Sequence, residues 1–261
     1  MIQALAQLYS ATLDAQYLQQ AITAAQWALA ERGLTGGGFR HDDKDQAGPF
    51  LEDTLAMARG MLDLYAATGD RSWLALTQSA ARFMRRNFAT RSGAGFASAA
   101  DRGQTLEPTA QIDENIAAAR FFNLLARYTG NADYAADAKR AMRFLVTRDV
   151  ALLRSTSPGI LLADTEVTTD PVHLTVVGAK DDRSARALFH SAVRMPSGYR
   201  RIEWWDRNEG PLPNPDVRYP DLAKAAAFVC TSGACSLPQF DGPQMLALAQ
   251  RLASETANSK Q

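Results

Sequence analysis

Thr68-Gly69-Asp70, with Trp73 three residues beyond, is the stretch on which the fold turns. A threonine closing one apolar stripe, a glycine free to take positive φ and an aspartate suited to capping the next helix together make a tight reversal between helices. The same phrase stands at Thr12-Leu13-Asp14 before Tyr17 and at Thr129-Gly130-Asn131 before Tyr134, at two nearly equal intervals along the chain. A second landmark, Gly37-Gly38-Phe39, returns one interval later as Ala94-Gly95-Phe96. Each interval has room for two helices and their connections, and with glycine at the turns it describes a stack of helix pairs.

Working outward from the turns, apolar residues recur at three and four positions: Leu18, Ile22, Ala25, Leu29; Leu51, Leu55, Ala58, Leu62, Tyr65; Trp73, Leu76, Ala80, Phe83. The pattern continues through Ala117, Phe121, Leu124, Tyr128 and then Tyr134, Ala138, Ala141, Leu145. With a short first helix over Met1 to Leu8, this gives six helices in three antiparallel pairs across residues 1–150. Beyond about residue 150, Ser155-Thr156-Ser157-Pro158-Gly159 interrupts the period and β-branched runs take over. Val172 to Gly178, Tyr199 to Trp205 and Ala226 to Cys230 read as strands, with helices over Ser184 to Val193 and Gln244 to Ala253. The segment Gly210 to Pro220 reads as an ordered loop. The expected fold class is mainly α: an incomplete (α/α) toroid of helical hairpins over 1–150, with a small α/β C-terminal extension over 151–261.

Composition narrows the function. Lys plus Arg and Asp plus Glu both number 28, so no net field favours nucleic acid or an anionic membrane. No run reaches membrane-spanning length, and Met1 to Leu8 lacks the basic start and unbroken apolar core of a secretory signal. Two cysteines cannot frame a fold, which fits a reducing, cytoplasmic setting.

Phe50-Leu51-Glu52-Asp53 and Gly60 to Thr68 resemble the thioredoxin-domain-containing family related to spermatogenesis-associated protein twenty, as do Asn123 to Gly130 and the tail Phe228 to Pro238 with its two cysteines. The resemblance is to the second half of that family, and it implies a six-hairpin glycosidase-like toroid associated with carbohydrate. Relative to the family, the thioredoxin-like domain and first hairpins are absent, Thr54 replaces a tyrosine, and Gln111 to Asn115 replaces a Pro-Ser-Gly-Asn-like stretch. About three hairpins are too few to close a toroid around a sugar. The isolated segment is therefore expected to be an inefficient glycosidase, and to self-associate or dock onto an N-terminal thioredoxin-like partner domain.

Five residues are candidates for catalysis. Glu52 and Asp53 open one helix and Asp113 and Glu114 open its counterpart one repeat later, so both acidic pairs are expected at one end of the stack. Paired carboxylates across a cleft suit glycoside hydrolysis, although acidic residues in a first turn also serve the helix dipole. His41, in the loop before the first pair, is a candidate acid or base; toroids of the sugar-epimerase type use loop histidines so. His173 and His190 are expected to be structural. Trp204 and Trp205 are candidates for stacking on sugar rings, against a plain core role. Cys230 and Cys235 supply only two ligands, short of a structural zinc, so packing or a local disulfide is expected and neither metal nor cofactor. The rival to a sugar-acting protein is a non-catalytic helical scaffold that binds a protein partner. Two acidic pairs lining one cavity would favour the former, and an exposed apolar concave face the latter.

Overall fold

The computed structural model describes residues 1–44, 48–103, 107–153, 157–231 and 234–258. Ser155 and Thr156 of the expected break, and Ser232 and Gly233 of the tail, lie outside the described residues. Six helices form three hairpins: α1 (Ile2–Thr12) with α2 (Ala15–Arg32), α3 (Leu51–Thr68) with α4 (Arg71–Phe88), and α5 (Ile112–Thr129) with α6 (Ala132–Leu145). Helix α3 also packs on α1 and α5, which places α3 and α5 side by side at the centre. Tyr65 of α3 and Tyr128 of α5 meet edge to face at 5.2 Å, and Phe122 of α5 stacks on Phe96 at the same separation. Small residues such as Ala58, Ala80, Ala118 and Ala141 are fully buried and let the helices approach closely.

The three turns are built alike. Leu13, Gly69 and Gly130 all sit at positive φ, and their backbone N–H groups donate to Tyr9, Tyr65 and Ala126 carbonyls. Asp14, Asp70 and Asn131 then cap the following helices, each side chain accepting from the backbone N–H two residues on at 2.9 Å. Leu13 holds the left-handed conformation without glycine's freedom, a local cost offset by packing against an apolar cluster that includes Tyr9, Leu174 and Phe189.

At the opposite end the connections are long, and they too repeat. Phe39 donates its backbone N–H to Thr54 Oγ1, and Phe96 donates its own to Asn115 Oδ1. No strand forms within the described part of residues 1–150; only isolated bridges, such as Gly33 with Phe39 and Ala89 with Phe96, pin these loops.

Two further helices follow, α7 (Arg148–Leu153) and α8 (Pro158–Thr168). Ser157 stands outside helix, as expected of the interruption, but helix α8 follows it before any strand. Proline at its first position needs no hydrogen bond to its missing N–H, so Ser157-Pro158 starts a helix. It packs on α5 and buries Ala163 in the helical core. Arg120 reaches from α5 to grip both oxygens of Glu166 at 2.8 Å.

The extension is a four-stranded sheet ordered β2-β1-β3-β4, from β1 (Val172–Val177), β2 (Arg200–Trp205), β3 (Ala226–Thr231) and β4 (Ala234–Cys235). Strands β1 and β2 run parallel across α9 (Arg183–Val193), and β3 returns antiparallel to β1. Helix α10 (Gly242–Asn258) packs on α9 and β3. The sheet docks on the short-turn end of the hairpins. Ile202 donates its backbone N–H to Tyr128 Oη at 2.9 Å, Lys180 Nζ donates to the Gly69 carbonyl, and a side chain on Gly69 would meet Trp204 Cβ at 2.9 Å.

Candidate active site

Helices α3 and α5 both begin at the long-loop end, and each carries two acids in its first turn: Glu52 and Asp53 on α3, Asp113 and Glu114 on α5. A cleft of about 510 Å3 lies between them, lined by Glu52, Arg59, Asp113 and Glu114 among others. Glu52, Leu55, Ala56 and Arg59 fall on one face of α3 because they are spaced at helical intervals.

Asp53 and Glu114 are the repeat-equivalent third residues of their helices, and one oxygen of each is buried without a hydrogen-bond partner among the described residues. Burial, then the charges of Glu52 and Asp53, push the Glu114 carboxyl up to about 7. The other oxygen of Asp53 lies 3.0 Å from His41 Nδ1. His41 stands edge-on to Phe50 and is well exposed, whereas Asp53 is mostly shielded. The loop after Gly37-Gly38-Phe39 is positioned by Thr54, the residue next to Asp53, so one turn of α3 sets both members of the His41–Asp53 pair.

The five expected catalytic residues therefore gather at one end of the hairpins. Trp204 and Trp205 do not join them. Trp204 is buried against Phe189 at 4.7 Å and donates Nε1–H to the Gly178 carbonyl; Trp205 donates to the Gly210 carbonyl beneath Arg207. Both stand on β2, in the sheet that docks at the far end of α3, where Trp204 lies against Gly69. Arg59 escaped sequence reasoning, although its position one face-turn below Glu52 and Leu55 was a readable signal.

A larger cavity of about 850 Å3 separates α1 and α3 from α10 and the start of β2. Among the described residues its one lining carboxyl is Asp63, pushed up by burial and bonded to Gln7, with no second acid beside it for acid–base work. Among the described residues no group of three or more His, Cys, Asp or Glu side chains is arranged to hold a metal ion, and no helix is long and apolar enough to cross a membrane.

No known family and no curated protein matches the chain, so the resemblance to thioredoxin-domain proteins stands on its quoted residues alone. Among solved structures the chain is similar to a UGL variant with dGlcA-Glc-Rha-Glc, at 20% identity, covering 73% of this chain and 58% of that one, with a TM-score of 0.49. It is also similar to unsaturated glucuronyl hydrolase from Bacillus sp. GL1, responsible for the degradation of glycosaminoglycan, at 19% identity, covering 72% of this chain and 57% of that one, with a TM-score of 0.47. The chain thus spans less than three fifths of either protein.

Proposed function

We propose that the cleft between α3 and α5 binds a saccharide and that its acids catalyse slow cleavage of a glycosidic bond. The observation carrying this reading is the lining of one cleft by Glu52 of α3 with Asp113 and Glu114 of α5, with Glu114 held up to about 7 and Asp53 among the charges that raise it. A carboxyl that keeps its proton near neutrality is suited to protonate a departing glycosidic oxygen. Asp53, held by His41, would take a proton from the attacking water. Arg59 adds a cation to the cleft wall for a polar or acidic substituent. The lining of one cleft by acids from both repeats favours this reading over a helical scaffold for a protein partner. The family resemblance of Phe50 to Asp53 and of Gly60 to Thr68 points the same way, toward a carbohydrate-associated toroid of the thioredoxin-domain family.

The test is a calorimetric titration with neutral and acidic oligosaccharides, paired with turnover of aryl glycosides. Binding by the wild-type chain, with turnover reduced roughly 100-fold or more in Glu114→Gln and in Asp53→Asn, supports the reading. No saccharide bound at millimolar concentration, or turnover indifferent to both substitutions, overturns it.

A further inference from the structure

The second face of the sheet carries chemistry that the cleft does not use. Strand register aligns Cys230 of β3, His173 of β1 and Arg201 of β2 in one row across three strands. The same pairing sets Cys230 opposite Cys235 of β4, and the two are joined as a disulfide. Spacing along the chain gave no Cys-x-x-Cys redox pair; the antiparallel β3–β4 ladder brings the sulfurs together instead. The two are unequal, for Cys230 is buried at 4% exposure while Cys235 is exposed on the edge strand.

Cys230 shares a cavity of about 230 Å3 with His173, Arg201, Arg127, Asp170 and Asp216. Arg127 pairs with Asp170, and Arg201 pairs with Asp216 and Glu203, so these charges are largely matched among themselves. His173 is held by Glu203 Oε2 at 2.9 Å and by Thr175 Oγ1 at 2.8 Å, and Tyr219 Oη fixes Thr175 in turn. Glu203 Oε2 is shared between Arg201 and His173, so both groups of this row are tied to one carboxylate, and a cationic group beside a cysteine favours the thiolate.

We propose that Cys230–Cys235 is a redox-active disulfide that accepts electrons from an external dithiol, with Cys235 as the attacked sulfur and His173 as the group that stabilises Cys230 when it leaves. The thiolate of the dithiol attacks Cys235 Sγ, a mixed disulfide forms, and the Cys230–Cys235 bond breaks with its electron pair passing to Cys230 Sγ. His173 in its imidazolium form would pair with that thiolate and hand it a proton, returning to the neutral imidazole. The second thiol of the dithiol, as thiolate, then attacks the mixed disulfide and releases Cys235, so the dithiol is oxidised by two electrons and the protein disulfide is reduced by two. A lower-pKa leaving thiol departs faster, which is the advantage of seating Cys230 rather than Cys235 beside His173.

The full chain is reduced with dithiothreitol in buffer, quenched by alkylation and followed by mass spectrometry; a parallel sample is exposed to limiting glutathione to trap the first adduct. The expected results are glutathione on Cys235, a reduction rate that does not rise in low urea, and a rate about tenfold slower in His173→Gln. Glutathione on Cys230, or reduction that proceeds only at the rate of global unfolding and so climbs with urea, overturns the proposal. A folded His173→Gln chain reduced at the wild-type rate overturns it as well. The adduct and urea measurements need no variant, so they decide even where His173→Gln fails to fold.

Discussion

Asp53 and Glu114 hold the same rung of successive hairpins, each third in its helix, and each leaves one buried carboxyl oxygen without a partner among the described residues. Buried polar atoms are seldom left so, and here two are left at equivalent positions, with the charge of Asp53 among those that raise Glu114.

Glu114 makes the pH dependence of stability predictable. Its folded value, about 7, exceeds the ordinary 4.5, so between those limits the folded chain holds a proton that the unfolded chain has lost. Stability from this group is therefore lost as pH rises from about 4.5 to 7, and the whole cost is present above 7. Because Glu114 is partly solvated, Glu114→Gln should gain only about 1 kcal/mol at pH 7.5 and nothing at pH 4. Asp137, raised to about 6 mainly by burial, tilts the curve the same way, so the quantity to measure is the difference between variant and wild type in urea melts across that range.

Removing a neighbouring charge should bring Glu114 down. In Asp53→Asn or Glu52→Gln its carboxyl resonance, followed by NMR, should titrate at lower pH than in the wild type, by less than the full shift because burial is the larger cause. An unchanged midpoint in both variants would show that the acids do not sense each other.

The His41–Asp53 pair is exposed on one side, so His41→Gln is expected to change stability by less than about 1 kcal/mol. Saccharide binding should weaken severalfold in the same variant. Trp205→Ala, at the other end of the molecule, should leave binding unchanged, and calorimetry with one oligosaccharide reads both.

Turn chemistry gives the sharpest stability prediction. Gly69→Ala places a methyl at positive φ and at 2.9 Å from Trp204 Cβ, and should cost about 2 kcal/mol or more in chemical denaturation. Asp70→Ala loses only a cap, at about 1 kcal/mol. A cost for Gly69→Ala no larger than that for Asp70→Ala would mean the sheet yields at this contact.

The hairpins were legible because Thr-Gly-Asp and its variants encode a reversal locally: a positive φ, then a side-chain cap. Strands β1, β2 and β3 were legible for a similar reason, as short β-branched or aromatic runs. Helix α8 was hidden because Pro158-Gly159 reads as an interruption until packing against α5 shows that proline opens a helix there. The acidic residues of the cleft could be placed by the repeat alone. That His41 would stand near the first pair was readable from its loop, but its 3.0 Å contact with Asp53 was not, since a loop must close to make it, and neither was Cys230 beside His173, which depends on pairing between strands far apart in the chain.

The two ends of the hairpins carry different freedoms. At one end the connections are minimal, Leu13-Asp14, Gly69-Asp70 and Gly130-Asn131, and the sheet rests directly on them, so an inserted residue would prise the extension from Tyr128 and Gly69. At the other, segments 33–50 and 89–111 can lengthen or change while Thr54 and Asn115 keep their roots anchored to Phe39 and Phe96. Changes in length should accordingly be recorded in those two segments, while the short turns remain almost immutable.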